Sequence, residues 1–160
     1  MNASINPSFL IASFVAGLVL TVFPLPPSLQ YWRPDWLALI LIFWCLSAPH
    51  RVGIISAWAL GFFVDAARGD LLGLNGLLLA IIAYFTVALH KRMRLFPSWK
   101  QALCVTLFIA IKLLVARIIV SSVMDKPVGM EYWLPALTSG LCWPWVQAIL
   151  QRLQRRVTLP

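Results

Sequence analysis

Charged side chains are missing from long stretches of this chain, and the uncharged stretches set its architecture. No charge precedes Arg33, and uncharged runs then cover residues 36–49, 52–64, 71–89, 101–111 and 132–151. About 20 mainly apolar helical residues cross a bilayer core, fewer where flanking side chains snorkel. The pattern therefore predicts six spans, near residues 9–23, 34–49, 52–67, 71–90, 99–124 and 133–152. The expected fold is an all-α, polytopic bundle, a single integral membrane domain over residues 1–160. The second and third spans are short. Their uncharged cores cover only about 20 Å each at 1.5 Å per residue, and Pro49-His50-Arg51 joins them tightly.

Composition agrees with that pattern. The 160 residues are 61% hydrophobic and only 11% charged, whereas soluble domains carry roughly a quarter charged residues. The net charge of +8 would suit nucleic acid, but no soluble domain is left to present a groove-reading element. Basic residues beside apolar spans instead set orientation and meet anionic headgroups. Cys45, Cys104 and Cys142 fall inside predicted spans without CxxC spacing, so they read as small apolar residues rather than a disulfide or zinc set. The first segment lacks a basic n-region and is followed by Pro24, Pro26 and Pro27. It reads as a permanent span, not a cleaved signal.

Charge also sets the expected orientation. With six spans both termini share one side, along with Arg51, Lys91, Arg92, Arg94, Lys100, Arg152, Arg155 and Arg156. The opposite side holds Arg33, Arg68 and Lys126 with every acid of the chain: Asp35, Asp65, Asp70, Asp125 and Glu131. Short loops rich in Lys and Arg stay cytoplasmic, so both termini are expected in the cytoplasm.

The densest candidate segment runs from Gly61 through Asp65, Arg68, Gly69, Asp70 and Gly73 to Gly76. Gly61 and Asp65 lie one helical turn apart, so a neighbouring backbone can approach beside the carboxylate. The later glycines let the chain turn and re-enter. A carboxylate near a helix C-terminus opposes the dipole, which calls for a cationic partner: Arg68 locally, or Arg117 from the fifth span. Lys112 lies nearer the midplane. It either faces the bundle interior or a partner helix, as intramembrane charges commonly do, or snorkels beside a neighbour.

Other motifs read as mainly structural. Arg33-Pro34-Asp35-Trp36 opens the second span, with Pro34 and Asp35 suited to a helix start and Trp36 to an interfacial belt. His50, between Pro49 and Arg51, has no partner at metal-ligand spacing. Trp143-Pro144-Trp145 follows Gly140 in the last span, where Pro144 should kink the helix. No nucleophile elbow, HExxH, paired intramembrane carboxylates or phosphate loop occurs, so the sequence suggests neither an enzyme nor a bound cofactor or metal.

Arg33-Pro34-Asp35-Trp36, Pro49-His50-Arg51, Gly61-x-x-x-Asp65 with Gly69 and Gly73, and Trp143-Pro144-Trp145 follow one another across about residues 33–156. In that order they resemble MreD, the rod-shape-determining membrane protein family of Gram-negative bacteria. The resemblance implies a multi-pass protein of the bacterial inner membrane that binds MreC. It also implies a shared machinery with the MreB filament, the RodA glycosyltransferase and a class B penicillin-binding transpeptidase. The family is also similar in fold to the six-helix substrate-binding components of energy-coupling-factor transporters, and supplies no catalytic residues to carry over. Two functions stay open: a non-catalytic subunit of the cell-shape machinery, or a substrate-binding or lipid-handling transporter component. The second needs polar groups converging on a cavity, for which Asp65, Asn75, Arg117 and Tyr84 are the available set.

Overall fold

A computed structural model describes residues 7–69, 71–123 and 129–158; Asp70, Asp125 and Lys126 lie outside them. Among the described residues all regular structure is helical: α1 (Pro7–Val22), α2 (Pro27–Gln30), α3 (Trp36–Ser47), α4 (Ile54–Arg68), α5 (Leu74–Met93), α6 (Ser98–Val123), a 3-10 turn (Met130–Trp133) and α7 (Leu134–Thr158). Six of these helices fall at the six expected segments. The short α2 was not expected; Pro27 at its first position supplies the fixed φ that starts it.

The boundaries move for local reasons. Gly73, at φ 92°, turns the chain into α5, so this helix begins three residues later than the charge pattern suggests. It then runs on through His90, Lys91 and Arg92, cations that suit a helix C-terminus. Gly69, at φ 70°, ends α4, and its N–H donates to the Asp65 carbonyl. An L side chain at either glycine would be strained. Gly53 caps the start of α4, its N–H donating to Ser56 Oγ at 2.9 Å.

α3 is the innermost element. Every residue from Leu37 to Leu46 is buried, as expected of a helix that is apolar all round. At 12 residues it is about 18 Å long, and it packs against α1, α5, α6 and α7. α4 packs on α5 and α1, and α6 on α5 and α7. Trp44 on α3 donates its indole N–H to Ser13 on α1 at 2.7 Å.

The surface is apolar in stripes at helical spacing: Ile11, Val15 and Val19 on α1; Leu103, Leu107, Leu114 and Ile118 on α6; Leu137, Leu141, Trp145 and Ile149 on α7. Stripes of this extent are a liability in water and ordinary against lipid. Two helices, Leu74–Met93 and Ser98–Ser122, are long and apolar enough to cross a bilayer. α1 and α3 are apolar but shorter, and α7 is long but diluted by Gln, Ser, Thr and Arg.

Candidate functional site

The Gly61–Asp65 face of α4 meets the start of α5. A Cβ on Gly61 would collide with the backbone of Asn75 and Gly76, so the two helices touch main chain to main chain. One turn on, the fully buried Asp65 carboxylate accepts from the Gly73 N–H at 2.8 Å, the Asn75 N–H at 3.1 Å and Asn75 Nδ2 at 2.7 Å. The carboxylate thus caps the N-terminus of α5, where unpaired N–H groups and the dipole favour an anion. The expectation of an arginine partner is corrected here: the positive end of a neighbouring helix does that work.

Both arginines expected near this carboxylate go elsewhere. Arg68 Nη2 donates to the Thr21 carbonyl at 2.6 Å. Arg33 joins it, donating through Nη1 to the Phe23 carbonyl at 3.2 Å and through Nη2 to Leu20. Together they serve the orphan carbonyls at the C-terminus of α1. Burial and the neighbouring Arg68 guanidinium pull Arg33 below its ordinary value, with Asp35 pushing the other way. Arg117 is exposed on α6. It lies near Tyr132, whose phenol burial pushes up while Arg117 opposes; the hydroxyl donates to the Leu113 carbonyl at 3.1 Å.

A second polar cluster ties α3, α6 and α7 together. Asp35 caps α3, accepting from the Ala38 N–H at 3.2 Å, and its own N–H donates to Ser139 Oγ on α7 at 2.9 Å. Lys112 reaches in from α6 to form an ion pair with Asp35, the two side chains only 11% and 17% exposed. Lys112 therefore faces the interior. Pro34 and Trp36 are partly buried beside this cluster.

At the opposite end Gln101 donates to the Met93 and Phe96 carbonyls at 2.9 and 3.1 Å and accepts from the buried Trp143 indole. A Cβ on Gly140 would collide with Thr106, so α6 and α7 approach closely there. Pro144 lies inside α7, and Trp145 projects outward, 74% exposed. Pro49, His50 and Arg51 form the tight turn after α3, where the Arg51 and Val52 N–H groups both donate to Ala48.

Sequence reasoning did not identify Ser139, Thr21 or Leu20 as partners. Ser139 is one hydroxyl among several in its helix, and a carbonyl carries no residue signature. The set Asp65, Asn75, Arg117 and Tyr84 does not converge: Asp65 and Asn75 bond each other, while Arg117 and Tyr84 are exposed on α6 and α5. Among the described residues no group of three His, Cys, Asp or Glu is placed to hold a metal ion.

Helices joined by internal charge clasps and covered by outward apolar stripes define a helical bundle of the membrane type. The family model described as rod shape-determining protein MreD matches residues 2–153. The rod shape-determining protein MreD of Haemophilus influenzae is 32% identical over 150 residues, covering 94% of this chain and 93% of its own. The chain belongs to the MreD family. No solved structure matches it.

Proposed function

We propose that this protein is a non-catalytic membrane subunit of the cell-shape machinery, with six crossings and both termini in the cytoplasm. In this reading it binds MreC and helps couple cytoplasmic MreB filaments to peptidoglycan synthesis by RodA and a class B transpeptidase. The observation that carries it is the family match over nearly the whole chain. The geometry agrees with a scaffold: Asp65, Arg68, Arg33, Asp35 and Lys112 all find partners inside the chain, leaving the outward helix faces to meet other proteins. Gly61, Asp65, Gly69 and Gly73 then hold the α4–α5 hairpin in shape, and Lys112 fixes α6 against α3.

Depletion in a rod-shaped host tests this. Cells should round up and be restored by the wild-type chain, and Gly61→Leu should fail to restore them. Rods of normal width after complete depletion would refute the role.

A further inference from the structure

A cavity of about 660 Å³ opens at the basic end of the bundle, between the ends of α3 and α5, the start of α6 and the C-terminal half of α7. Arg94, Arg155, Gln147 and Gln151 line it above a floor that includes Trp143, and no carboxylate does. Arg94 is anchored there by a 3.1 Å bond from Nη2 to the Ser47 carbonyl, which leaves further guanidinium donors to face the cavity. Gln147 Oε1 is buried without a hydrogen-bond partner, an unfavourable arrangement unless a donor is supplied. The site therefore offers cationic donors for an anion and one acceptor for a hydroxyl.

Arg155 also lines a second groove with Arg152 and Ile149, and a third continues from Arg152 past Ile149 to Trp145 and Pro144. An apolar track thus descends the outer face of α7 from the arginines towards mid-helix. A soluble phosphate has no use for that track; an acyl chain does. An acidic peptide would be served by the charges alone.

We propose that this cavity binds an anionic phospholipid whose headgroup carries a hydroxyl. Its phosphate lies at Arg94 and Arg155, the hydroxyl donates to Gln147 Oε1, and an acyl chain runs along Ile149 and Trp145. The inference needs membrane residence and is independent of the role in cell shape.

The test is native mass spectrometry of the full chain from mixed micelles holding phosphatidylglycerol, phosphatidic acid or phosphatidylcholine. Phosphatidylglycerol should be retained over phosphatidylcholine. Arg155→Gln, at an exposed position in the last turns of α7, and Arg94→Gln should each lower its occupancy about fivefold, the worth of one basic residue at an anionic surface. Gln147→Leu should abolish the preference for phosphatidylglycerol over phosphatidic acid. Lys91→Gln/Arg92→Gln, basic but outside the cavity, should change little. Equal retention of phosphatidylcholine, or undiminished occupancy in Arg94→Gln/Arg155→Gln, would overturn the proposal. So would glycerol 3-phosphate binding as tightly as the lipid, or a polyglutamate peptide binding through the same arginines with no lipid preference.

Discussion

Replacing Asp65 with Ala should be among the most damaging single changes available in this protein. The carboxylate is fully buried and accepts from three donors: the Gly73 N–H, the Asn75 N–H and Asn75 Nδ2. Each buried donor left unmet costs about 1–3 kcal/mol, and Gly73 and Asn75 are partly exposed, so the lower half of that range applies. The favourable charge at the α5 N-terminus is lost as well, worth about 0.3–2 kcal/mol. The total is about 3–8 kcal/mol against a typical stability of about 5–15. At about 2–4 °C per kcal/mol for a chain of this size, the midpoint should fall by on the order of 10 °C. Asp65→Asn keeps an acceptor and should cost only about 1–2 kcal/mol. Asp65→Ala/Asn75→Ala should be less damaging than the sum of its parts, because each change removes a group the other would orphan. The assay is a thermal series on the detergent-solubilised protein read by size-exclusion chromatography, alongside its level in membranes. Asp65→Ala with a midpoint within about 2 °C of wild type and an unchanged membrane level would refute the clasp.

Other substitutions test the remaining contacts. Gly61→Ala should separate α4 from α5, because even a methyl group meets the Gly76 backbone; loss of the folded monomer peak on chromatography is expected, whereas Gly53→Ala, with open space around it, should behave as wild type. Lys112→Leu should cost about 3 kcal/mol by leaving Asp35 without its cation, and Lys112→Leu/Asp35→Asn should recover part of that loss, as read by melting midpoints. Trp145→Ala removes an outward side chain and should shift stability by no more than about 0.5 kcal/mol; a large fall in its midpoint would show that Trp145 packs within the fold.

The charge pattern made the helix order legible because each apolar run must end where a charge or a turn glycine can reach the surface. It also located the Gly61–Asp65 face, since only a glycine one turn from a carboxylate permits so close a backbone approach. The partner of Asp65 was not legible. The sequence displays cations as residues, while the positive end of a helix is a property of backbone geometry that appears only when α5 begins at Leu74. The pairing of Asp35 with Lys112 was hidden for a different reason: 77 positions separate them, and their meeting depends on how α6 lies against α3. Arg33 and Arg68 were similarly obscured, because their acceptors are main-chain carbonyls at the end of α1.

Gentle purification of a tagged copy from native membranes, with co-purifying proteins identified by mass spectrometry, tests the scaffold role most directly. The expected result is a single-span MreC-like protein recovered with the elongation enzymes, and no transport subunits. Recovery of a transporter's membrane subunit with its ATPases instead, and no MreC-like protein, would contradict that role.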